Sequence, residues 1–302
     1  MKNIKQTQKS STRLFVILAR KSSLACIFRR GPSKQVLLIK WDRKTDTFEC
    51  GQWLKGRIYE RRCDLSPSGD KLIYLAAKWK GPIDSWTAVS RPPYLSALAL
   101  WPNLGAWGGG GLFEYDNVIC LNHRFDMGYD KLGGGFNIPK RITIQPLGEH
   151  SGHGEDDPIY HLHLLRDGWT MIAEGKGTEH PYKPSSKIWI TYDPPITYQK
   201  TNRRKNLSLL MQVKGYHEWG GTNYVIEYVI TQNETHIQYP LGRLDWADWD
   251  RNGDLLFARS GRLYRFNTKR NPDMDLNNAK ELADFRDLKF EEKTAPAKYC
   301  KW

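Results

Sequence analysis

CDLSPSGDKLIYLA (residues 63–76) and ADWDRNGDLLFA (residues 247–258) read as the same small object. Aligning Gly69 with Gly253 also matches Asp64 with Asp248, Asp70 with Asp254 and Leu72 with Leu256. In each, a polar turn containing glycine leads into an apolar run of strand-forming residues, which is a hairpin signal. The two glycines lie 184 residues apart, four steps of 46. A period in the forties built on a turn and an apolar strand predicts repeated β units that bury their faces by stacking on one another.

Strand patterns continue on both sides of these anchors. RLFVILA, LACIFRR, QVLLIKWD and TFECGQWL follow one another from Arg13, separated by Gly31-Pro32 and the polar Arg43–Asp46. LDWADW, DLLFARS, RLYRFN and KELADF repeat that order near the C-terminus; LNNAKELADF also carries a weak helical pattern. Between them, GLFEYDNVICLNH turns at Asp116-Asn117 and YHLHLLRDGWTMIAE at Asp167-Gly168. LSLLMQV, NYVIEYVI and HIQYPLG complete the series. The expected fold is all-β, a propeller of five four-stranded blades, or six if residues 207–241 form a blade of their own. It spans residues 13–290, between a disordered basic tail (1–12) and a C-terminal tail (291–302).

LSPSGDKLIYLA and DWDRNGDLLFARSGRLYRF resemble the WD-repeat and TolB-like β-propellers, in which an inner strand enters an S-P-D-G type of turn before an apolar strand. The Trp-Asp dipeptide of WD repeats has counterparts in Trp41-Asp42 and Trp249-Asp250. These motifs cover about a third of the chain, the rest following by spacing. Propellers host many activities, so function has to be argued from sites.

The 302 residues carry a formal charge of +13. Twelve lysines and arginines against the single acid Asp42 fall within residues 1–45, making a basic N-terminal edge that includes Arg29 and Arg30. Such an edge could attract nucleic acid, an acidic partner or an anionic membrane surface; it also suits a solvated tail and the exposed faces of a first hairpin. Five scattered cysteines without a CxxC pair argue against a disulfide framework or a zinc ribbon. Cys26, Cys63 and Cys120 sit beside strand residues and read as small buried hydrophobes. No apolar run is long enough to span a bilayer. LFVILA is too short for a signal peptide core. A cytoplasmic protein is expected, with the sequons at Asn206 and Asn233 arising by chance.

Three sets of residues could carry chemistry. The segment around Trp79–Phe113 holds Trp86, Tyr94, Trp101 and Trp107 beside the run Gly108, Gly109, Gly110, Gly111. Such glycines permit close approach of another backbone or a ligand, and the aromatics suit stacking on a sugar, base or peptide proline; packing between blades accounts for them equally. HSGHGEDDPIYHLH places His161 and His163 two apart on an expected strand, where they could meet Asp157 at a metal ion. A polar inter-blade loop explains the same residues, since no HExxH spacing occurs. Asp64, Glu114 and Asp248 could serve as the separated carboxylates of a glycosidase, although the equivalence of Asp64 and Asp248 favours a repeated structural bond. DWDRNGD begins like a calcium loop, but Arg259 stands where its bidentate glutamate belongs, leaving a hairpin in which Asn252-Gly253 is expected to supply the positive φ angles of a tight turn. No nucleophile elbow, phosphate loop or cofactor motif is present. The expected function is a non-enzymatic binding or scaffold module with a protein partner. A hydrolase and a nucleic-acid binder through the basic edge are the alternatives.

Overall fold

The computed structural model describes residues 12–302 apart from 32–33, 104, 157–158, 181–186, 203, 205 and 220. The expected basic tail, with Lys2, Lys5 and Lys9, thus lies outside the described residues except for Thr12, as do Pro32 and Asp157. The chain is all-β, and among the described residues its strands form five sheets in chain order.

Sheet 1 is the meander β1 (Arg13–Leu18), β2 (Leu24–Arg30), β3 (Gln35–Asp42) and β4 (Thr47–Lys55). Sheet 2 holds β5 (Arg57–Ile58), β6 (Asp64–Leu65), β7 (Leu72–Ala77), β8 (Ser85–Ser90) and β9 (Ala99–Asn103). Sheet 3 comprises β10 (Gly111–Tyr115), β11 (Val118–Leu121) and β12 (Thr143–Pro146), the last running parallel to β11. After helix α1 (Ile159–Arg166), sheet 4 contains β13 (Thr170–Ala173), β14 (Gly177–Glu179), β15 (Ile188–Asn202), β16 (Leu207–Glu218), β17 (Tyr224–Gln232) and β18 (Gln238–Arg243). Residues 207–241 therefore join the sheet begun by β13 and do not form a separate one. Sheet 5 is the meander β19 (Trp246–Trp249), β20 (Leu255–Arg259), β21 (Arg262–Phe266) and β22 (Lys280–Asp284), which resolves KELADF as a strand.

The chain divides into two compact units. Unit 1 comprises residues up to His163 together with Phe285–Trp302, and unit 2 is Leu164–Asp284.

In unit 1 the three sheets stack face to face, with sheet 2 in the middle. All six residues of β7, LIYLAA, are buried. Leu72, Tyr74 and Ala76 pack on Ile17, Phe28 and Leu38 of sheet 1, whereas Ile73 joins Phe113, Ile119 and Leu121 of sheet 3. Alternate residues of a strand face opposite sides, so a strand between two sheets loses the usual alternation and becomes continuously apolar. Corresponding turns meet as well: Lys21 N donates to Pro67 O at 2.8 Å, and Ser68 N donates to Asp116 Oδ1 at 2.8 Å.

The C-terminal segment of unit 1 is tied along these sheets. Phe285 packs edge-on against Phe48, Gln52 Nε2 donates to Lys293 O and Tyr299 lies against Tyr94. The Trp302 indole donates to Asn137 O. Arg29, fully buried, donates from Nε to Phe285 O at 2.9 Å, from Nη2 to Arg286 O at 2.7 Å and from Nη1 to Gly31 O.

In unit 2, the second sequence anchor is a hairpin stapled to sheet 4. Asn202 Nδ2 donates to Gly253 O at 3.0 Å, and the Trp249 indole donates to Lys200 O at 3.0 Å. Both anchor hairpins close with the same turn bond, Gly69 N to Ser66 O and Gly253 N to Asp250 O, with each glycine at positive φ. The expectation that Asn252 shares this backbone state is corrected: only Gly253 has positive φ there. Asn252 instead uses its side chain, accepting from Asp254 N. The strands beyond the turns also differ by one residue, since Asp64 pairs with Ile73 but Asp248 pairs with Leu256.

Candidate functional site

The Trp/Gly segment resolves into structural parts. Trp101 is 1% exposed and belongs to the core between sheets 2 and 3. Trp86 packs against the core between sheets 1 and 2, and Tyr94 is covered in part by Tyr299, with ring centroids 4.5 Å apart. Trp107 alone of these four projects into solvent, at 65% exposure. The glycines are where backbones cross. Gly109 N donates to Asn122 O, Asn122 N to Gly110 O and Gly108 N to Gly154 O. A Cβ on Gly108 would stand 2.9 Å from Gly152 O, and one on Gly110 would collide with Arg62 O. Gly108, Gly109 and Gly110 also hold φ of 71°, 82° and 81°, the left-handed region that glycine enters without strain. Close approach of another backbone, which such a glycine run permits, is therefore present here.

Behind this crossing lies a satisfied polar chain. Gly110 N donates to Thr87 Oγ1 at 2.7 Å, and Thr87 Oγ1 meets His123 Nε2 at 2.7 Å. The other ring nitrogen, Nδ1, lies 2.9 Å from Tyr129 O. A carbonyl only accepts, so Nδ1 carries the proton and Nε2 accepts from the threonine hydroxyl. Burial pushes the His123 pKa down, which keeps the ring neutral.

The expected pairing of His161 with His163 is overturned. Both lie on α1, not on a strand, and residues two apart on a helix are about 200° apart around its axis. His163 is buried, with Nε2 3.5 Å from Asp64 Oδ1. Among the described residues no group of three His, Cys, Asp or Glu side chains converges as metal ligands would.

The three carboxylates proposed for glycan chemistry are otherwise engaged. Asp64 is fully buried, and its Oδ2 accepts from Phe113 N at 2.7 Å. Glu114 is exposed and accepts from Gln145 Nε2. Asp248, in unit 2, takes Lys200 Nζ at 2.7 Å and its neighbour Trp249 N at 2.7 Å. Burial raises its pKa against the pull of Lys200. Asp250 and Asp254 share Arg265, at 2.5 and 3.7 Å, and Asp254 also accepts from Asn252 Nδ2 and Asn267 Nδ2, so these oxygens of DWDRNGD are engaged by side chains that build the hairpin.

Four arginines of the basic N-terminal edge are engaged by the fold, whereas Lys21, Lys34 and Lys44 are exposed. Arg29 is the buried clamp described above. Arg30 pairs with Glu60 at 2.5 Å. Arg20 Nη2 donates to Phe113 O and Glu114 O, and Arg43 is buried against the carbonyls of Ser22 and Ser23. Phosphate binding needs guanidinium groups facing solvent, whereas Arg29 and Arg43 face inward.

Two clusters not singled out in the sequence emerge instead. In unit 1, Arg57, Tyr59 and Glu60–Arg62, a 3-10 turn, line up beside α1. Arg57 Cζ lies 4.5 Å from the Tyr59 ring centroid and Arg62 Cζ 5.1 Å, while Arg61 Cζ lies 4.3 Å from the Tyr160 ring centroid. Buried Arg62 is held by Asp156 Oδ1 at 2.8 Å and by the carbonyls of Ala106 and Gly108. Partial burial raises the Tyr59 pKa, opposed by Arg57 and Arg62, so the phenol stays protonated at neutral pH.

In unit 2, the outer ends of the long strands β15 and β16 carry an aromatic cluster with β17. Trp189 and Tyr216 have centroids 6.1 Å apart, Tyr216 and Tyr224 5.4 Å, and His217 and Trp219 4.4 Å. Trp189 and Trp219 are 41% and 43% exposed. Beside them β14, GTE, is exposed along its length, and among the described residues it pairs only with β15. KIWITY and GYHEW bring these rings together only because Ile190 pairs with Tyr216 across the hairpin.

Comparison with known proteins names no family. No protein-family profile matches the chain, and no curated protein matches it. A crystal structure of the uncharacterized protein lmo1340 from Listeria monocytogenes EGD-e aligns over 95% of this chain and 87% of its own, at 10% identity and a TM-score of 0.27. Among the described residues, no helix is long and apolar enough to cross a membrane.

Proposed function

We propose that the protein is a non-enzymatic binding module that holds a polypeptide partner at the aromatic end of sheet 4, and that its five sheets are the blades of a five-bladed propeller akin to the WD-repeat and TolB-like folds. Sequential sheets, face-to-face stacking within unit 1 and the shared anchor turn support the propeller. The exposed cluster Trp189, Tyr216, His217, Trp219 and Tyr224 carries the functional assignment. Large exposed aromatics supply contact area at low entropic cost and concentrate binding energy in interfaces. The adjoining edge of β14 adds backbone donors and acceptors for an extended peptide, the mode of strand addition. The free, largely buried cysteines fit a reducing cytoplasm.

Selection of displayed peptides on the full chain tests this assignment. Selected peptides should bind at roughly micromolar Kd, and a Trp189→Ala/Trp219→Ala variant should weaken them at least about tenfold. Its melting temperature should stay close to wild type, because both rings are already more than two-fifths exposed. Peptides that bind the double variant as tightly as wild type, or no enrichment at all, would sink it.

A further inference from the structure

Arg57 is a cation whose place in the fold is unfinished. It opens sheet 2 as the first residue of β5, paired through its backbone with Ala77. Its Nε is buried and finds no hydrogen-bond partner among the described residues. Two acids of this neighbourhood are taken: Glu60 holds Arg30 at 2.5 Å and Asp156 holds Arg62 at 2.8 Å. Among the described residues the Arg57 guanidinium makes no ion pair and lies over the face of Tyr59, a contact that contributes about 0.5–2 kcal/mol and leaves its N–H groups without an acceptor. A buried donor left unmade costs about 1–3 kcal/mol, and more when charged.

The surroundings have the parts of an oxyanion site. Arg57, Tyr59 and Arg61 recur at every second residue of the sequence, and Glu60, the residue between the last two, anchors Arg30. Arg30, Arg57, Tyr59, Glu60 and Arg61 are all partly accessible, so a small solute can reach them. Tyr59 keeps its phenolic proton and can donate. The guanidinium fork matches two oxygens of a planar carboxylate or of a phosphate.

We propose that Arg57, with Tyr59 beside it and Arg30 held by the adjacent Glu60, binds a small anion through a carboxylate or phosphate group. This site is in unit 1 and is independent of the aromatic end of sheet 4. The anion completes the donor set that the chain leaves open, with Arg57 as the bidentate partner, Tyr59 as a neutral donor and Arg30 supplying charge from its ion pair with Glu60.

The test uses the full-length protein with sodium phosphate and sodium succinate in parallel, each against sodium chloride at equal ionic strength. Thermal unfolding and calorimetric titration are the readouts. At least one of the two anions should raise the melting temperature saturably; which one does so separates a phosphate from a carboxylate ligand. Arg57→Met should weaken that anion at least tenfold, and Arg57→Lys should weaken it less, retaining charge without the fork. Without anion, Arg57→Met should melt at or above the wild-type temperature, because it removes an unsatisfied buried donor. A purely structural arginine would instead melt lower when replaced. Absence of any shift beyond chloride, an undiminished shift in Arg57→Met, or anion-free destabilisation of Arg57→Met each overturns the site.

Discussion

Replacing Arg29 with methionine keeps most of the aliphatic volume but removes the guanidinium that ties β2 to the C-terminal segment. Three carbonyl oxygens, those of Gly31, Phe285 and Arg286, lose a charged donor. Charge-assisted bonds contribute about 1.5–3 kcal/mol each, a gross loss of about 4–9 kcal/mol. Against this, the wild-type protein holds a fully buried cation with no ion pair among the described residues, and burial depresses the Arg29 pKa against the pull of Asp287. Desolvating such an ion costs several kcal/mol, which the methionine recovers. The difference leaves a net loss of about 3 kcal/mol. Two of the three bonds run to residues 285 and 286, so the loss should concentrate there. Urea unfolding measures the global term and hydrogen exchange of peptides from 285–302 the local one. If opening of this segment takes the full loss, its amides exchange about a hundredfold faster. Arg29→Lys should fall between, since one ammonium cannot reach all three carbonyls with the same geometry. Arg29→Met within about 0.5 kcal/mol of wild type, with unchanged exchange in 285–302, would refute the clamp.

Trp101→Ala should cost about 3–5 kcal/mol by chemical denaturation, whereas Trp107→Ala should be nearly neutral, because one ring fills the core and the other is in solvent. Gly110→Ala meets both the Arg62 carbonyl and a positive φ; a loss of about 3 kcal/mol or failure to accumulate as folded protein is expected, and near-wild-type stability would contradict the backbone crossing. For His123 the folded pKa lies below the ordinary value of about 6.5, so the unfolded chain binds the extra proton first as pH falls. Its contribution is complete above about pH 6.5 and declines below it, through the depressed folded pKa, with a slope of at most about 1.4 kcal/mol per pH unit. His123→Gln, which can still accept from Thr87 and donate to Tyr129, should flatten that acid limb in a stability–pH series; an unchanged slope would assign the titration elsewhere.

The anchor hairpins were legible because turn chemistry is local: Ser66–Gly69 and Asp250–Gly253 carry their own bonds. The one-residue difference in pairing beyond the turns was not, since register is set by partner strands and the faces they bury. Helix α1 was hidden by its length. Ile159–Arg166 is eight residues, and HLHL alternates in polarity well enough to mimic a strand over so short a window. Ile159, His163 and Leu164, all buried, do mark one helical stripe. Arg57-Ile-Tyr59-Glu-Arg61 carried a readable signal, charge and aromatic at period two. The cluster of Trp189, Tyr216 and Tyr224 had none, because its members meet through the register of two long strands.

The C-terminal segment also fixes an order of events during synthesis. Unit 1 is interrupted in the chain by the whole of unit 2, so residues 1–163 emerge from the ribosome long before Phe285, Phe290 and Tyr299. Until then Phe48, Trp53 and Tyr94 lack the rings that later cover them, and Arg29 lacks two of its acceptors. Unit 2, continuous in sequence, is synthesised entirely within that interval. The nascent chain must therefore carry an uncovered apolar face through most of its translation, the circumstance in which chaperones act on a growing β protein.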